Sequence, residues 1–309
     1  MRVTREFIYL SNLPLPHLEE MAKELDVAVS TGSHKWDYVQ ALSRQSESKL
    51  APHRDHWAYA GKTSVTFIRI GKGDPLDPSG VEAALTAICD GANPLTEEVR
   101  PSSLTSRPTL VAAEKLGEKF CLTFGLKNRE VQYLRDFQLV TVDRDEFFSV
   151  VIRPEKAIIE VRTNSPRANR FNNLWVTEFC DFLYPDGGEG GREVVHQVLG
   201  ISDAELDRLR GELGASMHQY RGKGEDGGDI DTVEITKAHS CEDLSASEEA
   251  SARVKGSVPY RVLLVFDHPD CPEVKLRIST RQGSLQFMKA VPESVCDRVF
   301  EVLSRVKAI

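Results

Sequence analysis

The chain has 309 residues, of which 28% are charged and 40% hydrophobic, and 39 Lys and Arg against 47 Asp and Glu give a net charge of −8. This acidic balance argues against a protein that coats nucleic acid over its whole surface. No apolar run approaches the roughly 18 residues that cross a bilayer, and Glu6, Pro14 and Pro16 interrupt any signal-peptide core. We therefore expect a cytoplasmic protein without membrane contact, long enough for about two domains.

Residues 1–60 are predicted to be helical. Apolar residues recur at spacings of three and four along the first helix, at Leu18, Met21, Ala22, Leu25 and Val29. The stretch DYVQAL (37–42) predicts a second short helix, and residues 43–55 are predicted to be its frayed end and a linker. Within that linker, His53 and His56 flank Asp55, but no third metal ligand is evident, so a solvated loop is favoured.

Residues 61–184 are predicted to be rich in β-strands. A strand over 63–71 precedes a helix over 78–91 capped by Ser79, and an irregular connection follows over 92–110. Four further strands are predicted over 119–127, 135–145, 147–154 and 157–163, the last two joined by a hairpin turn at 153–156. Ser165 and Pro166 then predict the start of a helix that ends at 184.

Residues 185–309 form the third predicted segment. Ser202 and Glu205 have the spacing of a capping box, so a helix is expected to begin there. An acidic linker is predicted over 220–256, because residues 186–250 hold 16 acids against 6 bases, a balance of −10. Three strands within 260–290 and a closing helix from 292 follow, and residues 253–309 carry 10 bases against 6 acids, a balance of +4.

The order strand, strand, strand, helix occurs in both 135–184 and 260–308. We interpret this order as a structural pseudo-repeat. The predicted fold is therefore α+β, with a small helical module over 1–60 and a β-rich body of two sheet-plus-helix units over 61–184 and 185–309.

The sequence contains no complete catalytic motif. The stretch AGKTS (60–64) lacks the upstream glycine of a phosphate-binding loop, since His56 stands there, and a strand follows instead of a helix. Asp143, Asp145 and Glu160 resemble part of a nuclease site, but the expected lysine after Glu160 is missing. We therefore expect a protein that is not an enzyme and that needs no cofactor or metal.

The cysteines also argue against a metal site. They are Cys89, Cys121, Cys180, Cys241, Cys271 and Cys296, at least 25 residues apart, without a C-x-x-C pair. In a chain without a signal sequence, this spacing predicts buried free thiols.

The junction between the first two predicted helices reads STGSHKWDYVQAL (30–42). With the preceding helix, whose apolar face includes Leu18, Ala22, Leu25 and Val27, it resembles the helix–extension–helix DNA-binding modules of the SAP, HeH and Rho-N type. The resemblance covers about 30 residues and implies phosphate contacts at the start of the second helix. We assign this contact to Gly32, His34, Lys35 and Arg44, and we expect Trp36 and Tyr38 to serve packing.

A second candidate contact lies in VRTNSPRANRFNN (161–173). Arginine forks suit phosphates and guanine edges, and asparagine suits adenine edges. The assigned residues are Arg162, Asn164, Arg167, Asn169 and Arg170. An ordinary capping turn at a strand end would have a similar composition, so that alternative remains open.

The two candidate nucleic-acid contacts, in 30–42 and 161–173, together favour a non-enzymatic, sequence-nonspecific DNA-binding protein. We expect it to be an accessory to bacterial genome maintenance or phage defence. Two alternatives belong to other classes. In the first, the helical module docks a protein partner and the chain is an adaptor subunit of a complex. In the second, the acids of 143–160 form a metal-dependent nuclease.

Overall fold

The computed structural model describes residues 9–11, 13–30, 33–57, 64–71, 73–97, 99, 104–135, 138–163, 175–184, 197–224, 232–236, 243–255, 257–280 and 282–309. The described helices are α1 (Leu15–Glu24), α2 (Lys35–Leu42), α3 (Glu47–Trp57), α4 (Pro78–Ile88), α5 (Thr177–Leu183), α6 (Asp203–Leu213), α7 (Glu248–Val254) and α8 (Glu293–Lys307). The described strands are β1 (Ser64–Arg69), β2 (Thr109–Leu116), β3 (Lys119–Arg135), β4 (Gln138–Arg153), β5 (Ile158–Thr163), β6 (Gln197–Val198), β7 (Ser216–Gly224), β8 (Thr232–Thr236), β9 (Ser257–His268), β10 (Cys271–Ser279) and β11 (Ser284–Phe287). The predicted α+β class is confirmed.

The chain divides into two compact units. The first unit comprises Met1–Thr66 and Leu199–Ile309, and the second comprises Phe67–Val198. This division differs from the predicted one, because the N-terminal helices group with the C-terminal third of the chain.

In the first unit, α1, α2 and α3 share a hydrophobic cluster. Its buried members are Tyr9, Leu10, Leu13, Leu18, Met21, Ala22, Val39, Leu42 and Leu50. Residues 43–55 are not the linker that the sequence predicted, since α3 runs from Glu47 through Pro52 to Trp57. Burial of Leu50 stabilises this helix, which its own propensity does not favour.

The sheet of the first unit has the strand order β1-β11-β10-β9-β7-β8, with antiparallel neighbours. One face of it is apolar, with Val262, Leu264, Leu276, Ile278 and Leu285 buried. The segment 220–256 is not the linker that the sequence predicted. Strand β8 and helix α7 lie within it, and β7 ends in it at Gly224. Gln219 and Arg221 of β7 stand opposite Leu263 and Arg261 of β9. This pairing between distant segments is not visible in the Gly-rich sequence of β7.

Helix α6 begins as the capping box predicts. The Ser202 hydroxyl accepts a hydrogen bond from the Glu205 N–H, and the Glu205 carboxylate accepts one from the Ser202 N–H at 2.8 Å. Helix α8 is tied to α6 by the ion pairs Arg305–Glu212 at 2.9 Å and Lys307–Glu205 at 2.7 Å.

The second unit contains the antiparallel strands β2-β3-β4-β5 with α4 and α5. The predicted strands 135–145 and 147–154 are parts of one strand, β4, and β2 lies where no strand was predicted. The predicted hairpin turn is present as a short 3-10 helix, Pro154–Lys156, between β4 and β5. In the core, the ring of Trp175 stacks on Phe179 with centroids 5.1 Å apart and meets Phe124 edge to face with centroids 4.9 Å apart.

Helix α4 is capped by Asp77, and not by Ser79 as the sequence predicted. The Asp77 carboxylate accepts hydrogen bonds from the Ser79 N–H at 3.2 Å and from the Ser79 hydroxyl at 2.5 Å. These bonds lower the pKa of Asp77. Pro78 occupies the first helical position, where the predicted range also began, so the cap lies two residues before the predicted Ser79. The predicted helix over 165–184 is described only from residue 175, and Ser165 and Pro166 lie outside the described residues.

Each unit contains three antiparallel strands followed by a helix. These are β3-β4-β5 with α5, and β9-β10-β11 with α8. The order matches the one behind the predicted pseudo-repeat, although the first set begins at Lys119 and not at 135.

The described cysteines, which leave out Cys241, form no disulfide, as predicted, and all of them except the half-buried Cys89 are buried. Burial raises the pKa of Cys180 to about 12, so its thiol stays protonated and unreactive near neutral pH. Within the described ranges, no helix has both the length and the apolar composition that a membrane span requires.

Candidate nucleic-acid interface

The N-terminal segment has a helix, an extended connection and a second helix. Helix α1 ends where the Val27 N–H bonds to the Ala22 carbonyl at 2.8 Å. Residues 27–30 are not helical, and α2 begins at Lys35. Gly32, the predicted bend, lies outside the described residues.

The start of α2 already carries a negative charge of its own. The Asp37 carboxylate accepts a hydrogen bond from the His34 N–H at 2.7 Å. A phosphate at this helix start would therefore share the site with a carboxylate, and Lys35 would have to supply the compensating charge. His34 is exposed and Lys35 is half-buried.

Arg44 does not join the start of α2. It is exposed, but it follows Lys35 by nine residues, which corresponds to about 13 Å along a helix. Arg44 follows the last residue of α2, Leu42, so it lies at the opposite end of this helix from Lys35.

Trp36 is exposed, contrary to the expected packing role. Its relative exposure is 55%, whereas Tyr38 packs against the hydrophobic cluster of the helices. An exposed indole beside Lys35 can stack on a nucleic-acid base or enter an apolar pocket of a protein partner.

Arg162 is buried, so its predicted contact with nucleic acid is wrong for this structure. Only 2% of Arg162 is exposed, and its Nε and Nη2 donate to the Glu160 carboxylate at 2.9 and 2.5 Å. Arg153 binds the other oxygen of Glu160. The remaining predicted residues of this stretch, Asn164, Arg167, Asn169 and Arg170, lie outside the described residues.

The acids of the nuclease alternative do not converge in the described structure. Glu160 pairs with Val151 across β4 and β5, and Asp145 lies six residues farther along β4, about 20 Å away. Both oxygens of Glu160 are bound by arginines. The side chain of Asp143 lies outside the described residues, and among those described no three His, Cys, Asp or Glu residues gather to hold a metal.

The sequence did not predict the basic face of the first unit's sheet. Arg221 on β7 stands directly opposite Arg261 on β9, and Arg277 on β10 stands opposite Leu263, two residues farther along β9. The alternation of strand residues places these arginines on the face opposite Val262 and Ile278. Lys223 and Lys275 extend the same face at its two ends. We call these five residues the arginine face.

The cations of the arginine face are only partly neutralised. Arg221 pairs with Glu234 at 2.6 Å, and Arg277 donates to Gln286 at 3.2 Å. Arg261 has no hydrogen bond or ion pair to the described residues, and the Nε atoms of Arg221, Arg261 and Arg277 are buried without an acceptor. The face is open to solvent, since 32% of the Arg221 side chain and 43% of the Lys275 side chain are exposed.

Two arginines directly opposite each other destabilise a sheet. We therefore predict that Arg261→Gln stabilises the protein without ligand, by about 0.5 kcal/mol or about 1–2 °C in Tm. Differential scanning calorimetry of the two proteins measures this difference. Arg208→Gln removes an exposed arginine from α6 and serves as the matched control. A lower Tm for Arg261→Gln would mean that the arginine stabilises the fold.

No protein-family model matches this chain, and no curated protein matches it at a significant level. The case for a function therefore depends on the geometry and charge of the described residues.

Proposed function

We propose that the protein binds nucleic acid through its first unit, without sequence preference and without catalysis. The observation that carries this proposal is the arginine face, where Arg221 and Arg261 oppose each other and Arg261 has no partner among the described residues. A phosphate chain would supply the missing acceptors and relieve the repulsion between the two guanidinium groups.

The charge distribution supports a local interface. The chain has a net charge of −8, yet the arginine face gathers five cations, with Glu234 and Glu273 as their acidic partners. A basic patch on an acidic protein confines polyanion binding to that patch and repels it elsewhere. Contacts to phosphates alone carry no sequence information.

The N-terminal helices support the same function. An exposed Trp36 next to Lys35 combines a stacking surface with a cation at a helix start. Both features belong to the first unit, as does the arginine face.

Fluorescence anisotropy with a labelled DNA duplex and a labelled single strand, each at 50 and 200 mM salt, tests this function. If the face neutralises about three phosphates, a fourfold rise in salt weakens duplex binding about 40-fold, because bound counterions are released. The absence of binding to both DNAs at 50 mM salt would overturn the proposal.

Lys35→Glu tests the contribution of the α2 start. We expect weaker binding and a salt slope smaller by about one, as for the loss of one phosphate contact. Lys49→Glu, at an exposed position of α3, is the matched control and should leave both unchanged. Equal affinities for the wild-type protein and Lys35→Glu would exclude the SAP-like contact, even if the arginine face binds DNA.

The adaptor function remains a second candidate, favoured by the exposure of Trp36. It predicts no nucleic-acid binding at low salt, together with a Trp36-dependent complex with a protein partner. The setting in bacterial genome maintenance or phage defence stays a prediction.

A further inference from the structure

The first unit contains a cavity of about 400 Å³ between α6, α7 and the apolar face of the sheet. About half of its wall is apolar, from Leu206, Met217, Ile235, Leu244, Val254 and Pro259, and the other half is polar. This volume lies at the lower end of the range for small-molecule sites, which are largely apolar with a few placed polar groups. The cavity lies on the opposite side of the sheet from the arginine face, because Tyr220 and Met217, which line it, are in register with the buried Val262 and Leu264.

Gly222 allows the aromatic wall of this cavity. A Cβ at this position would lie 2.7 Å from the ring of Tyr220 and 2.9 Å from the Ser257 hydroxyl. The glycine therefore lets the ring lie along β7, where the Tyr220 hydroxyl donates to the Ser257 carbonyl at 3.0 Å. The ring is fixed with its hydroxyl occupied and contributes an aromatic surface to the cavity.

The one cation of the cavity wall is already neutralised. Arg210 Nη1 donates to the Asp243 carboxylate at 3.2 Å and to the Ser245 hydroxyl. Burial by itself raises the pKa of Asp243, but hydrogen bonds from Ser245 and the Met217 N–H, with the charge of Arg210, lower it overall. Asp243 is therefore ionised at neutral pH and balances Arg210.

The remaining charges of the wall are negative. Asp203 and Asp207 both line the cavity from α6, four residues apart on one side of the helix. Both are exposed, and Asp207 has no ion pair to the described residues. The pKa of Tyr220 is raised overall. Burial is the largest cause and the charge of Asp203 adds to it, whereas the hydrogen bond from Ser257 lowers the pKa. The charge of Asp203 therefore acts on the aromatic wall.

We propose that this cavity binds a small amine, with its hydrocarbon part against the apolar wall and its ammonium group between Asp203, Asp207 and the ring of Tyr220. Apolar burial supplies most of the affinity, and the acids with the aromatic ring select the cation. The site is separate from the proposed nucleic-acid interface and does not depend on it.

Isothermal titration calorimetry with hexylamine, hexanol and hexanoate at pH 7 tests the proposal. The three probes share their hydrocarbon chain and differ in charge. We expect hexylamine to bind most tightly and hexanoate least. Tighter binding of hexanoate would assign the site to Arg210, equal binding of hexanol would remove the role of the acids, and no binding of hexylamine would remove the site. Each of these results overturns the proposal.

Two cavity variants and one control variant locate the binding. Asp207→Asn should weaken hexylamine binding about fivefold and leave hexanol unchanged, as expected for a partly exposed ion pair. Glu301→Gln on α8, an exposed carboxylate outside the cavity, should change neither. Ala250→Phe fills the cavity from α7 and should abolish binding of both probes while DNA affinity stays unchanged. Retention of hexylamine binding in folded Ala250→Phe would place the ligand elsewhere.

Discussion

The double variant Arg261→Gln/Arg277→Gln is expected to bind DNA about 60-fold more weakly than the wild-type protein at 0.1 M salt. Each phosphate contact contributes about 0.9 to the slope of log affinity against log salt, so the loss of two contacts lowers the slope by about 1.8. Between 1 M and 0.1 M salt, this difference in slope amounts to an affinity loss of about 60-fold. A loss of this size requires both guanidinium groups to reach phosphates. Their common face, their partial exposure and the absence of an anionic partner for either among the described residues support this requirement.

The matched control is Arg208→Gln/Arg253→Gln. It removes two exposed arginines of the same unit, on α6 and α7, outside the arginine face. Its slope and affinity should stay within about twofold of the wild-type values, because these charges act only at long range in salt. An unchanged slope in the arginine-face variant would exclude that face. A matching loss in the control would indicate a diffuse field of positive charge without a defined site.

The second large effect concerns stability. We predict that Glu160→Gln destabilises the protein by about 3–5 kcal/mol, because the substitution removes the buried carboxylate that pairs with both Arg153 and Arg162. Only 1% of Glu160 is exposed, so water cannot enter to solvate the two guanidinium groups in place of the carboxylate. Urea unfolding, followed by the midpoint and the slope of the transition, measures the change.

Glu155→Gln is the control for this effect. Glu155 lies in the turn between β4 and β5 and is exposed, so its change should stay within about 0.5 kcal/mol. A loss of less than about 1 kcal/mol for Glu160→Gln would mean that other groups stabilise the two arginines. Arg162 could then be released toward the surface at little cost, and the predicted phosphate contact at this residue would regain support.

Local sequence was informative wherever a neighbour along the chain decides the conformation. The spacing of Leu18, Met21 and Ala22 predicted the buried stripe of α1, and the Ser202–Glu205 box predicted the start of α6. The same reasoning failed at Asp77, since a carboxylate and a hydroxyl two residues apart both suit a cap and only the backbone geometry separates them.

The environments of two arginines could not be predicted from the neighbouring sequence. Arg162 was assigned to a nucleic-acid contact because arginine forks suit phosphates, yet Glu160 on the same strand binds it in a buried cluster that also contains Arg153. Arg261 was not predicted to bind a ligand, because in the sequence it is a single charge next to an apolar run. Its importance depends on Arg221, 40 residues earlier, in a segment whose glycines predicted a loop.

The sequence by itself determined the α+β class, the helical N-terminal segment, the hairpin between β4 and β5 and the absence of disulfides among the described cysteines. Periodicity and turn residues act over a few residues, and cysteine spacing is read directly from the sequence, so all three can be seen in the chain alone. Only the tertiary structure decided which charges are buried, which form the arginine face and where α6, α7 and β7 leave a cavity. These features depend on strand register between distant segments, and a shift of one residue would move each side chain to the opposite face.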